Sequence, residues 1–357
     1  MANNSSLSSP LPHADKSCID IKTALFGSNY PVIHIQLFLL GVVLIAICSL
    51  IHKYSKNHIG IHKNLKLLLV NTIILYIINS LVWIVFFLRY RIQMFTYKHP
   101  CDFLSPVWMV PMFLGPPKLY SIAYPCFHFA IAFERIRSTF LAKRYERMGT
   151  QSTVIIIWII WFLSFGYMMY IIWVAMNDPA IFAQPQGIVT ITTEANANVM
   201  LYGTIVSMAL VILTALCDWF IFVMNKRLHI FTRNSRTEYN LSLNYQINEN
   251  TQAMLVIFPI DISFAIIYPI HNVLVILIRA YRSAFTKADF VSYCYWANTP
   301  LFLHSLVTVL LYIRFINRSS NITKRRNFVK RKLKEEGKTH FKFLEEQWNR
   351  KSAFSTY

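Results

Sequence analysis

The sequence predicts an all-α membrane protein, a bundle of seven transmembrane helices. Three observations support this fold class: seven long apolar segments, a mean hydropathy of +0.42, and basic residues concentrated at every second connection. A hydrocarbon core of about 30 Å needs about 20 apolar residues in a helix, and each segment has that length. The segments cover residues 31–52, 65–89, 105–134, 152–176, 198–224, 252–278 and 290–313.

The distribution of Lys and Arg predicts the orientation of the chain. Of the 35 Lys and Arg residues, 26 follow the odd-numbered spans and eight lie on the opposite side. Cytoplasmic segments collect positive charge, so we expect the N-terminus outside and the C-terminus inside the cell. The chain then divides into an extracellular tail at 1–30, a membrane domain at 31–315 and a basic cytoplasmic tail at 316–357.

The net charge of +19 does not by itself indicate a nucleic-acid partner. The basic residues adjoin apolar segments, where they meet the anionic headgroups of the inner leaflet. We therefore expect the lipid bilayer as a partner and no nucleic acid.

The expected outer face carries two further features. Asn3 and Asn4 each begin an N-x-[ST] sequon in the N-terminal tail, which predicts glycosylation there. Three of the six cysteines lie on or near this face, where disulfides are permitted, so at most one pair forms among them. The sequence alone does not choose that pair. The three cysteines are Cys18, Cys101 and Cys294.

Ionisable residues inside spans are costly and are candidates for function. Lys118 lies 17 residues before Arg135 in the third span, about 25 Å nearer the outer side at the helical rise. An ammonium there, beside Tyr120 and Tyr124, favours an anionic or carbonyl ligand. The alternative is that Lys118 extends to the outer headgroups.

Glu134 and Arg135 end the third span at the expected cytoplasmic boundary. Such an acidic–basic dipeptide can hold neighbouring helix ends by ion pairing, which an outward swing of the sixth helix would break. The alternative is a charge pair that only anchors the helix. Asp261 and His271 share roughly one face of the sixth span, where they either contact a ligand or pair with polar neighbours.

The sequence contains no recognised catalytic or cofactor motif. H-E-x-x-H, G-x-S-x-G, C-x-x-C and the P-loop are all absent, and nine glycines leave little scope for phosphate-binding loops. The histidines at 52, 58 and 62 lack the spacing of a defined metal site. We therefore predict a protein that is not an enzyme and holds no cofactor or metal.

Three motifs carry a resemblance to a known family. Residues 128–140 read H-F-A-I-A-F-E-R-I-R-S-T-F and are followed by Y-E at Tyr145. Residues 62–66 read H-K-N-L-K, and residues 241–250 read L-S-L-N-Y-Q-I-N-E-N. In this order and spacing the motifs resemble the nematode serpentine chemoreceptors of the class alpha superfamily, nearest class alpha/beta, with classes epsilon and alpha as rivals.

The resemblance implies a G-protein-coupled chemosensory receptor in the plasma membrane of a sensory neuron, in its cilia or dendrite. Its partners would be a small environmental molecule bound between the helices and a heterotrimeric G protein. Glu134, Arg135 and Tyr145 would couple to the G protein. The positions that we assign to the ligand pocket are Lys118, Tyr120, Tyr124, Asp261 and His271.

The chain departs from the rhodopsin-like pattern at two places. The seventh span lacks N-P-x-x-Y, and the second outer loop has no cysteine to bridge to the third helix. A bridge from Cys101 to either Cys18 or Cys294 remains open.

Three other functions compete with the receptor hypothesis. A ligand-gated channel of the insect odorant-receptor kind also has seven helices, but its N-terminus lies inside the cell. A transporter usually has discontinuous helices in paired halves, which this sequence does not suggest. A receptor-like protein that traffics partners would bind no ligand.

Overall fold

The computed structural model describes residues 12–27, 29–56, 62–141, 149–178, 191–234, 241–281, 284–286, 289–290, 292–318, 320, 335 and 341. Eight α-helices and one short 3₁₀ helix, Pro100–Phe103, make up most of these residues. Numbered α1 to α8 in chain order, the helices are Pro12–Phe26, Asn29–Lys56, Lys63–Thr96, Met109–Phe140, Gln151–Met176, Glu194–Asn234, Leu241–Ala280 and Ser292–Arg318.

Helices α2 to α8 occupy the positions of the seven predicted spans. Among the described residues, six helices are long and apolar enough to cross a membrane: α2, α3, α5, α8 and the larger parts of α6 and α7. The exception is α4, which contains Lys118, Glu134, Arg135 and three internal prolines. It packs against α3, α5, α6 and α7. Because other helices rather than lipid surround α4, it needs fewer apolar side chains than its neighbours.

Many large apolar side chains are exposed on the outer surface of the bundle, where contact with water would be unfavourable. On α5, Trp158 is 71% exposed and Phe162 is 78% exposed, and Phe38 on α2 is 75% exposed. Large contiguous apolar surfaces mark contact with another apolar phase. Together with helix length, they show a multi-pass membrane protein.

Two buried clusters form the core. One includes Tyr76, Tyr124 and Ile257, and lies in the half of the bundle that contains Arg135. The other includes Phe86, Phe87, Phe103 and Tyr295, and lies toward α1. In the second cluster the ring of Phe87 on α3 and the ring of Tyr295 on α8 have centroids 5.7 Å apart, so aromatic contacts join α3 to α8.

Helix α1 and the 3₁₀ helix cover one end of the bundle. A disulfide joins Cys18 to Cys101, and the Lys22 ammonium lies 5.1 Å from the centre of the Tyr97 ring. Hydrogen bonds from two backbone N–H groups, those of His99 and Lys98, lower the pKa of Asp102. Part of the stretch expected as an extracellular tail is thus a packed helix. We call this end of the bundle the disulfide end.

The structure describes some of the residues named in the sequence analysis, and others lie outside the described residues. Of the two open pairings for Cys101, the structure contains the one with Cys18. Asn3, Asn4 and Tyr145 lie outside the described residues, as does most of the basic tail at 316–357.

Candidate functional site

A cavity of roughly 230 Å³ lies between α3, α4, α5, α6, α7 and α8. Trp83, Tyr295 and Phe302 line it and also belong to the apolar cluster that contains Ile21 and Leu25 of α1. The cavity therefore lies in the half of the bundle beneath the disulfide end. Three of the five residues predicted for a ligand pocket line it: Lys118, Tyr120 and His271.

Hydrogen bonds orient several polar groups in the cavity wall. The Tyr268 hydroxyl on α7 donates to the Ser121 carbonyl on α4 over 3.2 Å. The His271 Nδ1 lies 2.6 Å from the Ala297 carbonyl of α8. Because a carbonyl only accepts, Nδ1 carries the proton and Nε2 is left to face other partners. These bonds link three of the helices that surround the cavity.

Tyr124 lies below the cavity rather than in its wall, in a chain of buried hydrogen bonds. Tyr76 donates to the Tyr124 hydroxyl over 2.7 Å, and Tyr124 in turn lies 3.2 Å from Nε2 of His304. Ser263 lies 3.2 Å from Nδ1 of that imidazole and donates to the Ile260 carbonyl. Each hydroxyl has one proton, so the chain runs in one direction and His304 carries its proton on Nδ1.

Asp261 also lies below the cavity. Its carboxylate on α7 contacts Nδ1 of His128 on α4, and both side chains are buried. Asp218 of α6 is also fully buried and interacts electrostatically with Asp261. Pairing with a neighbouring helix, which the sequence analysis gave as the alternative to ligand contact, is what the structure shows for Asp261.

Arg135 is fully buried at the end of α4 farthest from the disulfide end, and it reaches α7. Its guanidinium donates to Oδ1 of Asn250 over 2.8 Å, and the Ser138 hydroxyl donates to the same oxygen over 2.7 Å. The Asn250 amide nitrogen donates to Oγ1 of Thr139 over 3.2 Å, and Thr139 bonds Asn225 of α6. We call Arg135, Ser138, Thr139 and Asn250 the Arg135 cluster.

Four successive contacts between α4 and α7 connect the cavity to the Arg135 cluster. At the cavity, Tyr268 bonds Ser121. One turn lower the rings of Phe264 and Tyr124 lie 4.4 Å apart, and Asp261 meets His128 below them. Asn250 and Arg135 form the last contact. The described contacts between α4 and α7 therefore extend from the cavity to the Arg135 cluster.

Comparison with known protein families identifies the chain. A profile described as serpentine type 7TM GPCR receptor class ab chemoreceptor matches residues 27–349. The chain belongs to this family. No curated protein matches it. The family assignment confirms the predicted resemblance and the seven-transmembrane fold, and it places the chain in a class of proteins that is not normally enzymatic.

In this serpentine chemoreceptor Glu134 and Arg135 contact different partners. Glu134 pairs with Arg137 one turn along α4, with 3.5 Å between the charged groups. Arg137 also donates to the Ser152 hydroxyl of α5 over 2.8 Å. Arg135 makes the contact with α7, so the interhelical contact expected for the dipeptide involves a neutral amide partner.

The sequence analysis of this chemoreceptor did not predict which residue accepts the hydrogen bond from Arg135. Asn250 closes the motif at residues 241–250, and the sequence analysis gave it no role. It is 99% buried although its amide is fully polar. An Asn at the start of an apolar span, four residues before Met254, is the signal by which a buried polar contact could have been anticipated.

Proposed function

We propose that this receptor binds a small environmental molecule in the cavity and, in response, activates a heterotrimeric G protein. The observation that carries the proposal is the stack of α4–α7 contacts between the cavity and Arg135. A ligand that touches Lys118 on α4 and Tyr268 on α7 acts on this interface directly. It shifts the population of two helix packings by its difference in affinity for them.

The residues divide into three roles in this proposal. Lys118, Tyr120 and His271 contact the ligand, and Tyr124 and Asp261 transmit the shift between α4 and α7. Glu134, Arg135 and Tyr145 couple the receptor to the G protein. The buried Arg135 becomes available to that partner when α7 moves away and Asn250 releases it.

The proposal also places the receptor in the cell. The N-terminus and the disulfide end face the outside, Asn3 and Asn4 carry glycans, and the basic tail faces the cytoplasm. The receptor works in the plasma membrane of sensory neurons, in cilia or dendrites, without enzymatic activity of its own.

Expression in a reporter cell tests the proposal. Wild-type receptor exposed to a panel of volatile and water-soluble compounds should activate a G protein, and Arg135→Ala should abolish that response at unchanged surface expression. Arg318→Ala, at the exposed end of α8, is the control for losing one cytoplasmic arginine. Ligand-evoked current in cells without G proteins, or normal signalling by Arg135→Ala, would contradict the proposal.

A further inference from the structure

We infer that a groove between α2, α3 and α8 binds one anionic phospholipid, with part of an acyl chain in the groove and the headgroup at its basic end. The groove shares no lining residue with the chemosensory cavity, and the proposed function gives it no role. The support comes from the order of polar and apolar groups along the groove, from the charge of the three helices that form it, and from its size.

The groove lies in the half of the bundle that contains Arg135. Leu50 of α2 and Tyr312 of α8 line it and belong to the buried cluster of that half. Tyr54 lines it near the end of α2, and Lys66 lines it at the first turn of α3. Under the proposed orientation, the groove therefore opens at the depth of the inner headgroups.

The groove changes from basic to apolar along α3. At its basic end the Lys66 ammonium lies 5.1 Å from the centre of the Tyr54 ring. Ile73 lines the groove seven residues further along α3, about 10 Å away at the helical rise. Between them Val70 is 37% exposed. A phospholipid has the same order of groups along the bilayer normal, so an acyl chain can lie against α3 with its phosphate near Lys66.

The helices around the groove carry basic residues and no acidic ones. Since α2, α3 and α8 contain no Asp or Glu, no carboxylate of these helices neutralises the Lys66 ammonium, and the Tyr54 ring is uncharged. Basic residues beside a bilayer attract anionic headgroups, so this charge favours an anionic lipid over a zwitterionic one. Four further basic residues are exposed within three positions of a lining residue: Lys56, Lys63, Arg314 and Arg318.

The hydroxyl of Tyr54 can bond to a headgroup. This hydroxyl is buried and makes no hydrogen bond within the described residues, which is unfavourable for a polar atom. The side chain as a whole is half-buried, so we expect it to turn toward the groove when a phosphate oxygen offers an acceptor beside Lys66. Because all phospholipids have this phosphate, the bond adds affinity without distinguishing one headgroup from another.

The size of the groove favours a segment of a lipid chain over a whole small molecule. The enclosed space is roughly 40 Å³, far below the range of about 300–1,000 Å³ that pockets for drug-sized ligands occupy. A phospholipid needs only part of one chain in this space, because the rest of the molecule stays in the bilayer. A sterol has a wide ring system and no charge to match the basic residues, and the basic segment after residue 318 would meet like charge.

Native mass spectrometry of the purified full-length receptor counts the bound lipids and measures their affinity. The probes are phosphatidylserine and phosphatidylcholine with identical acyl chains, with cholesterol and sn-glycerol 3-phosphate as competitors. We expect one phosphatidylserine to bind about tenfold or more tighter than phosphatidylcholine, and neither competitor to displace it. Equal affinity for the two phospholipids, or displacement by cholesterol or by the chain-free phosphate, would overturn the inference.

Charge and hydroxyl variants assign the headgroup contacts. Lys66→Gln should reduce the preference for phosphatidylserine severalfold, and Tyr54→Phe should weaken both phospholipids alike. Lys226→Gln is the matched control. It removes an exposed charge at the same end of the bundle, on α6 beside Asn225, which bonds the Arg135 cluster. Its preference for phosphatidylserine should equal that of the wild type, and a loss as large as that of Lys66→Gln would show attraction to the whole basic face instead of a site.

Filling the groove tests the position of the chain without changing any charge. Val70→Trp should prevent binding of phosphatidylserine, whereas Val85→Trp, at an exposed position of α3 outside the groove, should bind as the wild type does. A thermal midpoint near that of the wild type shows that each variant is folded. Unchanged binding by Val70→Trp would place the lipid elsewhere and overturn the assignment.

The binding measurements are separate from the proposed function, because they need neither a chemosensory ligand nor a G protein. A receptor that binds phosphatidylserine through Lys66 but activates no G protein retains the lipid site and loses the proposed function. A receptor that signals normally and binds both phospholipids equally retains the function and loses the lipid site.

Discussion

The Arg135 guanidinium of α4 donates a hydrogen bond of 2.8 Å to the side-chain oxygen of Asn250 in α7. The two residues are 115 positions apart in the chain, and both are buried. Their contact closes the α4–α7 interface at the end where a cytoplasmic partner is expected to bind. We expect this bond to be one of the contacts that hold α7 against α4.

Replacing Asn250 with Ala should activate the receptor without ligand. A hydrogen bond to a charged group contributes about 1.5–3 kcal/mol, so its loss should raise basal G-protein activation about tenfold or more. The measurement is basal signalling in a reporter cell, normalised to surface receptor. The matched variant is Asn250→Asp, which keeps the acceptor and adds a charge facing Arg135, and its basal signalling should be at or below the wild-type level. Equal basal activity in all three receptors would show that this contact does not restrain α7.

Removing the disulfide should loosen the contact between α1 and the 3₁₀ helix, which lie over the cavity. The bond joins residues 83 positions apart, and closing a loop of that size stabilises a fold by about 4.5 kcal/mol in the chain-entropy treatment. Cys18→Ser, Cys101→Ser and the double variant should therefore show the same lowered thermal midpoint and the same weakened ligand binding. Cys294→Ser is the control and should unfold as the wild type does. Additive losses from the two single variants would mean that the cysteines act independently.

Adding a methyl group at Gly203 should reshape the cavity. A Cβ at this position would lie 2.5 Å from the Tyr167 hydroxyl oxygen, and both residues line the cavity. The Tyr167 ring must therefore move, and Gly203→Ala should weaken ligand binding severalfold while the receptor still reaches the cell surface. Gly166→Ala, one residue before Tyr167 on α5, meets nothing within 4 Å and serves as the control. Unchanged binding by Gly203→Ala would show that the ligand does not occupy this part of the space.

An epitope at each end of the chain tests the orientation that the basic residues predict. On intact cells, antibody should reach an N-terminal epitope, and it should reach a C-terminal epitope only after permeabilisation. Staining before permeabilisation is the readout, with surface biotinylation as the control for expression. The reverse pattern would favour a channel of the insect odorant-receptor kind over a receptor with its N-terminus outside.

Much of the fold follows from the sequence because the lipid environment constrains it strongly. Apolar length predicts most of the spans, and the odd–even distribution of charge along the chain also predicts α4, which contains charged residues and prolines. The depth of Lys118 in the bundle follows from its helical rise above Arg135, whereas the rise leaves open whether its side chain faces the cavity. Helix α1 could not be predicted from the sequence, because its residues are polar. It is stabilised by the disulfide and by contacts with the 3₁₀ helix, which is distant in the sequence.

The site is less predictable, because it depends on which faces of the helices meet. Asp261 and His271 share a face of α7 in the sequence, yet Asp261 meets His128 below the cavity and His271 lines it. Asn250 belongs to a motif that the sequence analysis identified. Its partner lies on another helix, and only the packing of the two helices determines that the two side chains meet. Burial of a polar residue predicts that a partner exists and does not identify it.

A distance measurement between α4 and α7 tests the central claim most directly. Spin labels at Phe140→Cys on α4 and Leu255→Cys on α7, both exposed positions, report the separation near Arg135, with labelled wild-type receptor as the background. In an otherwise unchanged receptor we expect one predominant short distance, and the further substitution Asn250→Ala should shift the population to a longer one. The same distance distribution with and without that substitution would contradict the account.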